Sequence, residues 1–256
     1  MLFINTRPLD RGGALTQRLL AAGYNVIDMP LLVLKPRPFD QQLNHLYQHL
    51  HQVQVIVVVS PTAVDVGMQY LREAQIDLTH LSHIQWVAVG QSTAQCLERH
   101  GISSHQPEVE TSEGMLSLPL FRKLKPMTKV AFWRGEGGRQ FMMQQCLAQQ
   151  IEVLNFVLYE RDCPSETRQN IFNIGQQIKQ FAPPYWACIS SEASWKNWLQ
   201  LFQDQPHIVQ SCHYLVLGER LYKLLNDDKY HLKLNFDLTQ VDRLNPDTIL
   251  QAIKQQ

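Results

Sequence analysis

Residues 130–139 read Val-Ala-Phe-Trp-Arg-Gly-Glu-Gly-Gly-Arg. Strand-forming residues run into a polar, glycine-rich turn, and a helical run over 140–150 follows. This is the grammar of a strand–turn–helix unit in an α/β protein. Such turns lie at the carboxyl ends of parallel strands, where open sheets bind their ligands. Glycines let the backbone come close to a ligand, and amides at the helix start point at it. Arg134 and Arg139 bracket Gly135 and Gly137, which makes the turn a candidate anion seat. Taken alone, it is equally a tight turn with two solvated arginines.

Working outward, the unit recurs. A strand over 2–5 leads to Thr6-Arg7-Pro8 and a helix over 14–22, stopped by Gly23. An extended stretch over 26–34 is broken by Lys35-Pro36-Arg37-Pro38, a stiff connection. A helix over 40–51 precedes a valine-rich, buried strand over 53–59, which turns at Ser60-Pro61-Thr62 into another helix. The strand over 86–89 ends at Gly90-Gln91-Ser92-Thr93, and Thr111-Ser112-Glu113-Gly114 carries an N-cap signal. Beyond the opening stretch come an extended run over 152–159 and a helix over 166–180. A strand over 186–189 ends at Ser190-Ser191, and one over 214–217 ends at Gly218-Glu219-Arg220. An extended segment over 232–238 and a helix over 246–255 close the chain. Alternation throughout implies α/β architecture with doubly wound parallel sheets and right-handed crossovers.

The spacing also implies a duplication. A shift of 127 residues carries Arg7 onto Arg134 and Val26 onto Val153; shifts of 128 to 131 carry Gly90 onto Gly218 and Ser60 onto Ser190 or Ser191. Two similar domains facing one cleft are expected, lined by these turns. Spacing alone allows a simple split near residue 127 as well as a crossed arrangement. Any single Ser or Thr at such a turn is ordinarily a helix cap, so the functional reading rests on the ordered set.

Composition narrows the classes. In 256 residues, 23 Lys plus Arg balance 23 Asp plus Glu, which argues against bulk binding to nucleic acid or membrane surfaces. The longest apolar run is strand-sized, so no transmembrane helix is expected. The opening strand without a basic leader gives no signal peptide, and a cytoplasmic protein is expected. Five scattered cysteines fit neither a disulfide framework nor a zinc site. His45 and His49 share a helical spacing used for zinc, but the acidic partner of that motif is absent and a polar helix face is the simpler reading. There is no Walker loop, no dinucleotide fingerprint and no recognisable Ser/His/Asp arrangement.

At these turns the chain resembles the uroporphyrinogen-III synthase family. The likeness is carried by Asn5-Thr6-Arg7-Pro8, Ser60-Pro61-Thr62-Ala63-Val64, Val87-Ala88-Val89-Gly90-Gln91-Ser92-Thr93-Ala94, Thr111-Ser112-Glu113-Gly114-Met115-Leu116, Arg134-Gly135-Glu136-Gly137-Gly138-Arg139 and Val157-Leu158-Tyr159-Glu160-Arg161. It implies two α/β domains joined by two extended hinge strands, about 31–38 and 157–164. One domain would be 1–34 plus 165–256, the other 35–163. The implied reaction is cyclisation of hydroxymethylbilane to uroporphyrinogen III, with loss of water and inversion of ring D, without metal or organic cofactor. Tyr159 matches the family's tyrosine and is the candidate proton donor. Arg7, Ser60, Thr62, Gly90, Thr111, Ser112, Arg134, Gly135, Gly137, Arg139, Ser190, Ser191 and Arg220 are the candidate seats for the substrate's eight carboxylates. The family's Thr-Ala pair after the last glycine is replaced here by Glu219-Arg220. A monomer is expected, with a transient contact to hydroxymethylbilane synthase, because the bilane cyclises spontaneously to the wrong isomer. The alternative from another class is a two-domain protein that binds an anionic small molecule without chemistry.

Overall fold

The computed structural model describes residues 1–137 and 140–255. The chain divides into two compact units, Met1–Val33 with Arg161–Gln256, and Leu34–Glu160. Strands in chain order are β1 (Leu2–Asn5), β2 (Asn25–Asp28), β3 (Val33–Pro36), β4 (Val55–Val58), β5 (Gln85–Ala88), β6 (Ser104–His105), β7 (Lys129–Gly135), β8 (Glu152–Asp162), β9 (Tyr185–Ile189), β10 (Cys212–Leu217) and β11 (Asp237–Val241).

One sheet has the order β11-β10-β9-β1-β2, the other β3-β8-β7-β4-β5-β6. The pairs β1–β2, β1–β9, β9–β10 and β10–β11 are parallel, as are β7–β8, β4–β7, β4–β5 and β5–β6. Read across, the neighbour sequence β11-β10-β9-β1-β2 matches β6-β5-β4-β7-β8. Each sheet therefore has the arginine-turn strand beside the serine-turn strand, and the glycine-turn strand beyond it. The two chain halves share their strand order, and β1 pairs with β9 of the second half on one side and with β2, at the sheet edge, on the other.

Both sheets are covered on both faces, which explains their near-continuous apolar strands. In the second unit, Ile56 and Val58 pack with Tyr47, Val64, Leu71 and Trp133, while Val55 and Val57 pack with Phe121, Phe132 and Met143. In the first unit, Leu2 and Ile4 pack with Trp195, Trp198 and Tyr214, while Phe3 packs with Leu15, Leu19 and Ile253. The alternation of successive side chains to opposite faces is the strand period of two. No helix among the described residues is long and apolar enough to cross a membrane.

Candidate functional site

In the second unit the candidate residues gather at the carboxyl ends of β4, β7 and β8, which are neighbours in the sheet. Ser60 is the N-cap of the helix Pro61–Glu73. Its extended backbone turns the side chain back so that Oγ accepts from Ala63 N at 3.1 Å. Pro61 takes the first helical position, where its missing N–H costs nothing. Thr62 follows on the same first turn, half-buried.

The same Ser60 Oγ lies 3.0 Å from the phenolic oxygen of Tyr159. Tyr159 stands on β8 and is only 2% exposed. Two features of the backbone aim it. The β7–β8 register pairs Arg134 with Val157 but Gly135 with Tyr159, so a bulge between Arg134 and Gly135 leaves Leu158 over. Bulges re-aim side chains in this way. The Tyr159 ring then lies directly on Gly135, where a Cβ would overlap it. Glu136 N donates to the Tyr159 carbonyl at 2.6 Å, fixing the strand behind the ring. Arg134 is buried at the end of β7 and its guanidinium donates to the Gly137 carbonyl; Gly137 holds a positive φ of 69°. Arg139 lies outside the described residues.

Next along this sheet, Gly90 begins the helix Gln91–Glu98. Gln91 N donates to the Glu110 carboxylate at 2.7 Å, and that carboxylate fills the space beside Gly90. The start of this helix thus already holds an anion from its own chain. Sequence reading missed Glu110, since no spacing signal ties residue 110 to a turn nineteen positions earlier. Thr111 caps the short helix Ser112–Leu116 through Gly114 N at 3.1 Å, with Ser112 half-buried in its first turn. An open groove of about 610 Å³ lies along the helix Gln91–Glu98, lined by Gln91, Gln95, Glu98, Ser104, Gln106 and Glu110; neither Ser60 nor Tyr159 lines it.

In the first unit the candidates stand at the carboxyl ends of β1, β9 and β10, also sheet neighbours. Ser190 follows β9. Ser191 caps the helix Glu192–Leu201, accepting from Ser194 N at 3.1 Å with the Ser194 hydroxyl 2.8 Å away. Arg220, in the helix Gly218–His231, approaches the Glu192 carboxylate at 3.9 Å, and Lys196 binds the same carboxylate at 2.8 Å. The Lys196 hydrogen bond, then its charge and that of Arg220, hold Glu192 below the usual carboxylate range. Arg220 thus reaches the first residue of the helix that Ser191 caps. Arg7, at the end of β1, is engaged otherwise: its Nη1 donates to the Leu244 carbonyl at 2.7 Å. Asn5 just before it is buried, its amide shared among the Gly12 carbonyl, Thr16 Oγ1 and Asp28 Oδ1. Thr6 donates to the Cys188 carbonyl. Residues 5–7 thus tie β1 to the helix that follows it and to its neighbours.

Among the described residues no group of three or more His, Cys, Asp or Glu side chains is arranged to hold a metal. The rings of His45 and His49 pack at 4.3 Å and His49 Nδ1 turns to the His45 carbonyl. The five cysteines are buried and unbridged. What the second unit offers chemically is a buried phenol, hydrogen-bonded to a hydroxyl that also caps a helix. A phenol can donate a proton to a leaving oxygen, and hydroxyls and amides at helix starts suit carboxylates.

A family model described as uroporphyrinogen-III synthase HemD matches residues 13–232. A uroporphyrinogen-III synthase of Proteus mirabilis is 30% identical over 146 residues, 56% of this chain and 71% of that protein. A porphyrin biosynthesis protein HemD of Ruminiclostridium josui is 27% identical over 105 residues, 41% of this chain; the match spans only 21% of that longer protein. Two solved structures share the fold at low identity. Mutant uroporphyrinogen III synthase of Thermus thermophilus aligns with a TM-score of 0.63 and 14% identity, covering 100% of this chain and 98% of that one. The Helicobacter pylori uroporphyrinogen-III synthetase gives 0.63 and 13%, covering 100% of both.

Proposed function

The chain belongs to the uroporphyrinogen-III synthase family, and from that premise we propose that it is a hydro-lyase that closes hydroxymethylbilane to uroporphyrinogen III with inversion of ring D. The observation that carries the proposal is the Tyr159–Ser60 hydroxyl pair at the carboxyl ends of β8 and β4. Tyr159 gives its phenolic proton to the departing hydroxyl, the carbon–oxygen bond breaks with its electrons on oxygen, and water leaves. The pyrroles' own electrons stabilise the resulting azafulvene cation, so the protein's work is mainly to hold the chain folded with its ends together. Closure on the inverted ring, through a spiro intermediate, releases a proton that restores the phenol.

The carboxylate seats are the helix-start turns. In the second unit these are Thr62, Thr111, Ser112 and the Arg134–Gly137 turn, with Arg139 assigned from the sequence alone. In the first unit they are Ser190, Ser191 and Arg220, the last supplying a charge where the family has a hydroxyl. Arg7 and Gly90 act through the backbone around them, since a carbonyl holds the one and a carboxylate adjoins the other. We further propose a cytoplasmic monomer. It takes its labile substrate by transient contact with hydroxymethylbilane synthase.

Tyr159→Phe tests the proposal. The variant is expected to keep the near-ultraviolet circular dichroism of the wild type and to lose roughly 10²-fold in kcat for isomer III, the low end for a general acid. Wild-type kcat in this variant would remove Tyr159 from the mechanism.

A further inference from the structure

We infer that Glu110 is a positioning residue for Thr111: its carboxylate, seated on the start of the helix Gln91–Glu98, fixes the turn that presents the Thr111 hydroxyl to a substrate carboxylate. This rests on the reading of Thr111 as a carboxylate seat, and it gives Gly90 a steric task in place of a conformational one.

The turn is fastened at three points. The first is Glu110. Gln91 N donates to its Oε1 at 2.7 Å, across nineteen positions of chain. A Cβ on Gly90 would overlap the carboxyl carbon and both oxygens. Gly90 itself is extended, with φ −169° and ψ 179°, which any residue adopts. What position 90 requires is therefore room for the Glu110 carboxylate. The second point is Val109. Its carbonyl oxygen lies where a Cβ on Gly114 would stand, so a second glycine lets the turn close on the helix Ser112–Leu116. The third is Thr111, whose Oγ1 accepts from Gly114 N at 3.1 Å. The amide is the only possible donor in that bond, so the hydroxyl keeps its own proton to give. Thr111 N also donates to the Val109 carbonyl at 2.7 Å, which makes residues 109–111 a tight turn with the anchor and the seat adjacent on the chain. If Glu110 instead competed with substrate for the helix start, removing it would tighten binding. The two readings differ in the sign of one measurement.

The experiment uses full-length protein with hydroxymethylbilane generated in situ, reading kcat and KM for isomer III beside the melting temperature. Glu110→Ala is expected to raise KM about 5-fold with kcat near that of the wild type, the worth of roughly one hydrogen bond. Glu110→Gln keeps an acceptor of the same reach for Gln91 N and is expected to restore KM. Gly90→Ala is expected to raise KM by a like factor and to lower the melting temperature, because the methyl drives the carboxylate out. The same change made in the Glu110→Ala protein is expected to add little to either, since the methyl then has room. Glu110→Ala combined with Thr111→Val is expected to have a KM no higher than Thr111→Val alone. A KM at or below the wild-type value in Glu110→Ala, a KM not restored in Glu110→Gln, equal effects of Gly90→Ala with and without Glu110, or KM increases that multiply with Thr111→Val would overturn the inference while leaving the proposed function standing. Wild-type protein that makes no isomer III would overturn both.

Discussion

Ser191 shows how one residue carries two separable roles. Its hydroxyl accepts from Ser194 N at the start of the helix Glu192–Leu201. Ser191→Ala is expected to cost about 1 kcal/mol of stability in urea unfolding, the usual worth of such a cap. If it also seats a substrate carboxylate, KM rises several-fold with kcat kept; an unchanged KM would reduce Ser191 to a cap. Gly135 is the opposite case, a residue whose use lies in what it lacks. Gly135→Ala places a methyl on the Tyr159 ring. The ring must shift, and kcat is expected to fall toward that of Tyr159→Phe. Retention of full activity would show that the ring's seat on Gly135 is not needed. Both turns stood out in the sequence through the ordered set of strand-end turns, since a single serine there is ordinarily a cap. That set did not reveal the contact between Tyr159 and Ser60, which lie 99 positions apart and meet only once β4, β7 and β8 are aligned.

At the scale of elements, the alternating strands and helices were legible because each strand core is a short apolar run ending in a turn residue. The run over 53–59 became β4 (Val55–Val58), and the run over 186–189 became β9 (Tyr185–Ile189). Other stretches were not legible. The extended segment over 26–34 is two strands, β2 and β3, separated at 29–32. The extended segment expected over 232–238 is mostly not a strand: the helix Gly218–His231 runs up to it and β11 begins only at Asp237. The β7–β8 bulge left no mark in the sequence, since it depends on register between two strands. β10 carries a pH-dependent element. His213 is buried, stacks on Trp186 at 4.1 Å and bonds Thr239 Oγ1 at 2.7 Å. Burial holds the ring's affinity for protons below the ordinary value of 6.5, against the pull of Asp237. The unfolded chain then binds the proton first, so this stabilisation is complete above about pH 6.5 and is lost as pH falls below it. Urea unfolding is expected to show the decline in the wild type, and a shallower one in His213→Asn. Identical slopes would contradict the assignment.

At the scale of the whole molecule, the decisive feature is how the chain is divided between two sheets of matching strand order. Leu34–Glu160 is continuous in sequence, with apolar clusters on both faces of its sheet. A piece spanning 33–162 is therefore expected to unfold in one cooperative urea transition, seen by the fluorescence of Trp86 and Trp133. A gradual, non-cooperative loss would contradict that independence. The first unit is assembled from two separate stretches, and no single excision reproduces it. The turns at the carboxyl ends of both sheets acquire meaning only from a reaction. The measurement that tests the account most directly supplies hydroxymethylbilane in situ, adds the purified protein, and separates the oxidised porphyrins by isomer. The account predicts a shift from isomer I to isomer III that depends on protein concentration. Isomer I unchanged, with the protein shown to be folded, would contradict it.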